Sequence, residues 1–230
     1  MDKRIATLSG WGQPHDALAA IAPEATHIDY AHHKSVDDAL AAIAAHAKNH
    51  DIIIGWSLGG QLAVRAIAAG MFKPKQLVLI ATPYQFVTTP ENPLGMKRDL
   101  YDKFCSNVAR HPERALHKAW GLIHKGDSRA GEVRAHLDKQ DRRKTLEKDW
   151  LHWLDMLDGF SFNENNLAGF PPTLLIHGDR DVVVGHEQSR LFSDAIPYAK
   201  LMIIKGAGHA PHWHDAQGVK EMISEYADVR

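Results

Sequence analysis

The sequence predicts an α/β domain built on a parallel sheet and interrupted by a long helical insertion. Short apolar runs alternate with segments of helical periodicity, a pattern typical of parallel strands joined by crossover helices. The alternation stops between Pro83 and Ala168, where charged amphipathic segments replace the strands. A Gly-x-Ser-x-Gly pentapeptide centred on Ser57 directly follows one of the apolar runs.

Six apolar runs are the predicted strands, and five segments are the predicted helices of the sheet domain. The strands are Arg4–Leu8, Thr26–Tyr30, Asp51–Gly55, Gln76–Ala81, Thr173–His177 and Lys200–Ile204. The helices are Pro14–Ile21, Ser35–Lys48, Ser57–Ala69, His186–Ala195 and Pro211–Ala227. The second of these helices has a clear start signal, because Ser-x-x-Asp forms a capping box before residues with helical apolar spacing.

The insertion divides the chain into residues 1–82 and 169–230 for the sheet domain and residues 83–168 for the helices. A segment this long and this patterned does not fit a loop. Between Lys97 and Lys148 it holds 14 lysines and arginines against 8 acidic residues, whereas the rest of the chain carries 13 against 20. Two interpretations stay open: solvated helix faces, or an electropositive surface for an acidic ligand or partner.

Composition is that of an ordinary globular protein and disfavours several function classes. The 230 residues are 44% hydrophobic and 24% charged, and the net charge of −1 gives no basis for global binding to nucleic acid or membranes. No stretch reaches the roughly 18 apolar residues of a membrane span, and the apolar part of the N-terminus is too short for a signal peptide. The single cysteine, Cys105, excludes an internal disulfide and is better explained as a bystander than as a nucleophile. We therefore expect a cytoplasmic protein.

The segment around Ser57 carries the strongest functional signal. The run Asp51–Gly55 ends at Gly-Trp-Ser-Leu-Gly and a helical pattern begins at once, so Ser57 lies on a sharp strand-to-helix turn. Helix amides at this point would stabilise the negative charge that develops in acyl transfer. The alternative is that Ser57 simply caps a helix after a buried strand.

A serine nucleophile needs a general base and an acid that orients the base. Both residue types follow strand ends in the order acid, then histidine, in the segments His177–Asp181 and Gly206–Pro211. Open α/β sheets place their binding crevice at the carboxyl ends of the strands. The order and the placement together favour a catalytic role for Ser57.

These motifs resemble those of serine α/β-hydrolases, and most closely those of the pimeloyl-[acyl-carrier protein] methyl ester esterases of biotin synthesis. The resemblance rests on Ser9–Gly12, Gly55–Gly60, His177–Asp181 and Gly206–Pro211, and it is weak in the insertion. It implies the α/β-hydrolase fold with about six parallel strands and without the usual first two. The two absent strands would lie far from the crevice. We therefore expect their absence to affect stability or oligomeric state before it affects the catalysed reaction.

The resemblance implies a catalytic triad. Ser57 would be the nucleophile, His209 the general base, and Asp181 the acid that holds the imidazole tautomer. Asp179 is the alternative acid. The family spacing His-Gly-x-x-Asp favours Asp181 and leaves Asp179 to cap the turn or to pair with Arg180.

The resemblance also implies an oxyanion hole formed by the amides of Leu58 and Trp11. Trp11 as a mere surface aromatic is the alternative. Family members usually carry histidine at the position of Ser9, so the support of this loop is expected to differ here.

In the related esterases the insertion is a cap that binds the acyl chain and the carrier. Trp120 and Leu122 align loosely with the cap segment that lines the acyl site, although packing within helices explains them equally well. Four arginines resemble the basic cap residues that meet the acidic acyl-carrier protein, with solvated helix faces as the alternative. They are Arg129, Arg134, Arg142 and Arg143.

The implied reaction is hydrolysis of an acyl methyl ester carried on acyl-carrier protein, without a cofactor. Carboxylesterases, thioesterases and carbon–carbon bond hydrolases use the same triad and stay open, as does a catalytically silent binding protein of this fold. Serine at the turn disfavours dehalogenases and epoxide hydrolases, in which aspartate attacks. His209, His212 and His214 could chelate a metal, but no cysteine or second cluster accompanies them, and we expect the last two to begin a surface helix.

Overall fold

A parallel six-stranded sheet forms the centre of the computed structural model, which describes residues 3–140, 145, 149–158, 160 and 169–228. The strand order is β2-β1-β3-β4-β5-β6. The strands are β1 (Ile5–Leu8), β2 (Thr26–His27), β3 (Ile52–Trp56), β4 (Gln76–Ile80), β5 (Thr173–Gly178) and β6 (Lys200–Ile204). The prediction of about six parallel strands is confirmed, although β2 is shorter than expected.

Strand register brings the predicted functional segments to one edge of the sheet. Leu8 at the end of β1 lies opposite Gly55 of β3, and Gly178 at the end of β5 lies opposite Ile204 of β6. Every residue of β3 and β4 is buried, as expected for central strands covered by helices on both faces. The turns that follow β1, β3, β5 and β6 therefore converge at the carboxyl edge.

Helices cover the sheet and form the insertion. They are α1 (Val36–Ala47), α2 (Leu58–Ala68), α3 (Arg98–Arg110), α4 (Pro112–Ile123), α5 (Ala130–Lys139), α6 (Trp150–Asp158), α7 (Glu187–Ala195), α8 (Pro211–His214) and α9 (Ala216–Asp228). Helix α1 begins as its capping box predicts, because the Ser35 hydroxyl accepts a hydrogen bond from the Asp38 amide. Within the part of the chain that the structure describes, no helix is long and apolar enough to span a membrane.

Two predicted helices differ in the structure. Residues 14–21 form successive turns rather than an α-helix. Most of their hydrogen bonds join residues three apart, and the Ala17 carbonyl accepts from the Trp213 indole instead of from an amide of its own segment. The predicted helix Pro211–Ala227 is interrupted at Asp215, whose φ of −144° and ψ of 75° are not helical.

Helices α3 to α6, here called the inserted helices, lie between β4 and β5 in the sequence. Tyr101 of α3 donates a hydrogen bond to the Leu154 carbonyl of α6, and Arg65 of α2 donates to the Met156 carbonyl. These contacts join the insertion both to itself and to the sheet domain. The division at residues 82/83 and 168/169 stays a prediction.

Candidate active site

Ser57 occupies a strained turn between β3 and α2. Its φ of 53° and ψ of −120° lie where side chains are disfavoured, at a cost of about 1–3 kcal/mol. The side chain makes no capping hydrogen bond to α2, which argues against the N-cap interpretation. Ser57 instead borders a cavity together with His209.

Close packing of glycines sustains this turn. A Cβ atom on Gly59 would collide with the Leu8 and Ser9 carbonyl oxygens, and one on Gly60 would collide with the Thr82 hydroxyl. Both glycines begin α2, so the helix can approach the ends of neighbouring strands only without side chains there. The close approach follows directly from the Gly-x-Ser-x-Gly-Gly sequence.

Asp181 contacts His209 and anchors a buried network. Its Oδ2 lies 2.7 Å from His209 Nδ1, and its Oδ1 accepts hydrogen bonds from the amides of Val183 and Val184 at 2.8 and 3.0 Å. These amides fix the carboxylate plane, because both lie on the turn that follows β5. The structure thus brings together the acid and the base that the sequence predicted.

A second histidine, His177, shares the same carboxylate oxygen and was given no role in the sequence analysis. His177 Nε2 faces Asp181 Oδ2 at 3.0 Å and the Val184 carbonyl at 2.9 Å, while Nδ1 lies 2.6 Å from the Ser189 hydroxyl. Two acceptors at Nε2 require a proton on that nitrogen. His177 therefore donates a hydrogen bond to the Asp181 carboxylate and helps to hold it in place.

The histidines keep the Asp181 carboxyl ionised. Burial by itself would raise the pKa of Asp181, but attraction to His209 and hydrogen bonds from His177 and His209 reverse this and place the pKa well below its usual range. A fully buried negative charge next to His209 is suited to stabilise an imidazolium.

Asp179, the alternative acid, has a different contact. Its Oδ1 accepts a hydrogen bond from the Gly206 amide at 2.7 Å. It therefore closes the turn after β5 against the His209 loop (Lys205–Ala210), while Asp181 contacts the imidazole itself.

Trp56, the residue before Ser57, braces the base from the core. Its indole donates a hydrogen bond to the His209 carbonyl at 2.9 Å, and its ring contacts the rings of His212 and Trp213. The residue before Ser57 is thus linked directly to the backbone of His209. The sequence pattern did not indicate the contact with His209, because a tryptophan at the end of an apolar strand is expected to be an ordinary core residue.

The other two histidines of the run are buried, so the expected surface helix is wrong at its start. Burial lowers the pKa of His212 well below its usual value, and nearby His209 and His136 lower it further. Neither ring nitrogen has a hydrogen-bond partner among the described residues. His214 Nδ1 lies 2.7 Å from Asp127 Oδ1. His209 and His214 contact different carboxylates, and among the described residues no cluster of three metal-ligating side chains is found.

Trp11 and its loop border the same cavity. Gly10 and Trp11 line it beside Ser57, and the Trp11 indole donates to the Trp150 carbonyl at 2.8 Å, so Trp11 is a packed residue rather than a surface aromatic. Leu58, at the first position of α2, is fully buried. Trp11 thus lines the cavity that Ser57 borders, and Leu58 directly follows Ser57 at the start of α2.

Ser9 supports this loop through its hydroxyl and its carbonyl. Its hydroxyl donates to the His15 carbonyl at 2.9 Å, and its own carbonyl accepts from the Tyr30 hydroxyl at 2.7 Å. Ser9 is buried, so both hydrogen bonds are shielded from water.

The cavity above Ser57 has a volume of about 90 Å³ and is predominantly apolar. Trp120 and Leu122 of α4 both line it, and the Trp120 indole also donates to the Gly12 carbonyl at 2.6 Å. Trp120 therefore both forms a wall and holds the loop that carries Trp11. The other apolar walls are Phe86, Met96, Phe104, Ala119, Ile123, Leu154, Leu157 and Val183.

The predicted basic residues of the insertion have different surroundings. Arg129 Nη1 donates to the His214 carbonyl at 3.1 Å, and exposed Arg134 lies 3.4 Å from Asp138. Arg142 and Arg143 lie outside the described residues. Cys105 is a free, half-buried thiol whose pKa is raised by burial, which disfavours a nucleophilic role.

Comparison with known proteins gives consistent matches. The sequence profile described as the alpha/beta hydrolase family matches residues 5–221. The chain is 30% identical to a pimeloyl-[acyl-carrier protein] methyl ester esterase of Nitrosomonas europaea, over 77% of this chain and 71% of that protein. It is 29% identical to a protein of the same name from Xanthomonas campestris, over 81% and 74% of the two chains. The structure superposes on a Bacillus anthracis bromoperoxidase with a TM-score of 0.83, covering 99% and 92% of the chains at 21% identity.

Proposed function

Because this chain belongs to the alpha/beta hydrolase family, we propose that it is a carboxylic ester hydrolase with Ser57, His209 and Asp181 as its catalytic triad. The observation that carries the proposal is the 2.7 Å contact between Asp181 Oδ2 and His209 Nδ1, next to a cavity that Ser57 and His209 share. A buried carboxylate fixes the imidazole so that Nε2 is free to accept the serine proton.

The proposed reaction has two steps through an acyl-enzyme. Ser57 Oγ attacks the ester carbonyl while His209 Nε2 takes its proton, and the amides of Leu58 and Trp11 hold the developing oxyanion. His209 then returns the proton to the leaving alcohol. In the second step His209 deprotonates a water that attacks the acyl-enzyme, and Ser57 leaves with the proton. Asp181 stays ionised throughout.

We propose the methyl ester of an acyl group on acyl-carrier protein as the substrate. The names of the relatives at about 30% identity support this, as do the apolar cavity and the excess of lysine and arginine in the insertion. Arg134 is exposed and could meet an acidic carrier, whereas Arg129 is already hydrogen-bonded to the core. Arg129 is therefore the weaker candidate for binding the carrier.

The size of the cavity favours a second candidate, a short-chain carboxylesterase. At about 90 Å³ the cavity is smaller than the roughly 300–1,000 Å³ of ordinary small-molecule pockets. A short acyl ester therefore suits it better than a seven-carbon acyl chain does.

Methanol release from pimeloyl-[acyl-carrier protein] methyl ester, compared with cleavage of p-nitrophenyl acetate, separates the two candidates. The first requires turnover of the carrier substrate, and the second is favoured if only the small ester is cleaved. Ser57→Ala should lower kcat for either substrate by about 10⁴-fold or more and abolish labelling by a fluorophosphonate. Undiminished hydrolysis by this variant would refute the esterase proposal altogether.

A further inference from the structure

The His209 loop is held by a part of the insertion that lies far from it in sequence. The connection between α4 and α5, Ile123–Arg129, runs alongside the loop and makes backbone contacts with it. The His209 amide donates to the Ile123 carbonyl at 3.3 Å, and the Ser128 amide donates to the Gly206 carbonyl at 2.8 Å. The α4–α5 connection therefore holds the His209 loop through backbone hydrogen bonds.

Asp127 is the side chain at the centre of this contact. Its Oδ2 accepts a hydrogen bond from the Gly208 amide at 2.7 Å, directly before His209. Its Oδ1 accepts from His214 Nδ1 and from the Arg129 amide, both at 2.7 Å. The carboxylate is completely buried, and its two oxygens are used by three N–H donors.

The loop needs such support because its own sequence provides little. Two glycines closely precede His209 in the loop. Gly206 has a φ of 82°, and Gly208 packs against the Ile123 carbonyl. Glycine backbones restrict their neighbours weakly. A buried carboxylate that grips the loop at Gly208 and helix α8 at His214 fixes the chain on both sides of His209.

We propose that Asp127 is a positioning residue for His209, setting the direction of the imidazole toward Ser57 through the Gly208 amide. The proposal rests on the proposed triad, since it gives the insertion a part in placing the general base. Displacement of a catalytic group by about 1 Å can cost about 10²-fold in rate. Asp127 touches neither the cavity nor the imidazole, so its effect is transmitted by the backbone.

Asp127→Asn tests this, because an amide has one acceptor oxygen for three N–H donors. In either orientation its NH₂ group faces at least one N–H at about hydrogen-bond distance. We expect kcat for p-nitrophenyl acetate to fall by about 10- to 100-fold with KM unchanged. The downfield proton resonance of the His209–Asp181 hydrogen bond should shift or broaden in the same variant.

The matched control is Asp99→Asn on α3. Asp99 is exposed and pairs with Lys103 one turn along, so the substitution removes the same charge from the inserted helices without touching the loop. It should change kcat by less than about twofold and leave the resonance in place.

A pair of His214 variants tests the same contact when Asp127→Asn is too unstable to assay. Asparagine presents an N–H close to the position of imidazole Nδ1, whereas leucine presents none. His214→Asn should keep most of the activity and His214→Leu should lose about tenfold in kcat. Equal losses of kcat in the two His214 variants would overturn the positioning role. An Asp127→Asn enzyme with unchanged kcat, or with only a raised KM, would overturn it as well.

Failure of the proposed function gives a different pattern. If Ser57→Ala retains hydrolysis, the triad is wrong whatever Asp127 does. The proton resonance still reports whether Asp127 orients His209, because that signal requires no turnover.

Discussion

The Ser57 turn and the His209 loop border the same cavity, yet they are held in opposite ways. The Ser57 turn is fixed by close packing. At Gly59 and Gly60 there is no room for side chains, so α2 packs tightly against the strand ends beside Ser57. The His209 loop is held by attachment to other segments. Asp127, Asp179 and Trp56 each make a hydrogen bond to its backbone.

This difference predicts two kinds of failure. Adding volume at the turn disrupts packing between a central strand and its helix, so stability is lost together with activity. Removing one attachment from the loop leaves the remaining contacts and the core in place. The rate then falls while the fold persists, and the following variants can separate the two behaviours.

The largest effect is expected for Asp181→Asn, with Asp179→Asn as its partner. An amide at position 181 removes the charge beside His209, and in either orientation its NH₂ group faces N–H donors, so kcat should fall by about 10⁴-fold. Asparagine at position 179 keeps an oxygen for the Gly206 amide, so the loss should be under about tenfold. Steady-state kinetics on a small ester measures both, and a reversed order would make Asp179 the triad acid.

At the turn, Gly59→Ala should destabilise the protein by about 3 kcal/mol and reduce the yield of folded enzyme. The new Cβ would meet the Leu8 and Ser9 carbonyl oxygens, which belong to buried backbone. The control is Gly131→Ala on α5, where nothing lies within 4 Å and a gain of up to about 1 kcal/mol is expected. Urea unfolding compares the two; a stable, inactive Gly59→Ala enzyme would contradict the sterically built turn.

The smallest effect concerns His212, packed behind the loop. Its pKa is lowered by burial, so below its ordinary pKa of about 6.5 the unfolded chain binds a proton that the folded chain does not. The free energy of unfolding should therefore fall as pH decreases below about 6.5, by at most about 1.4 kcal/mol per pH unit from this group.

His212→Leu should remove that part of the acid sensitivity. It should also raise stability at pH 7.5 by about 1 kcal/mol, because two unpartnered ring nitrogens leave the core. Unfolding curves at pH 7.5 and 5.5 measure the change, with His46→Gln at an exposed site of α1 as control. Equal pH dependence in wild type and His212→Leu would show that His212 is not the group responsible.

The same contrast explains what the sequence could predict. The turn is specified by contiguous residues, Gly55–Gly60, so one motif was enough to place Ser57. The spacing after His177 also favoured Asp181 over Asp179, in agreement with the contact to His209. These features depend on neighbours within a few positions of the chain.

The supports of the loop could not be predicted in this way. Asp127 lies 81 positions before Gly208, and nothing in its own segment indicates the contact. The predicted helix at residues 14–21 fails for a related reason, since the indole of distant Trp213 occupies the Ala17 carbonyl. Arg129 matched a surface pattern but bonds to the His214 carbonyl. In each case a distant partner decides the local structure.

The position of the α4–α5 connection limits how the insertion can be exchanged. Adjacent strands β4 and β5 provide its entry and exit, a connection that would accept helical insertions of different length without altering the sheet. A graft that replaced all of it would, however, remove Trp120 from Gly12 and Asp127 from Gly208. Transplants meant to change the acyl preference should therefore keep residues 116–129 of the host, and diversity is better introduced in α3 and α6.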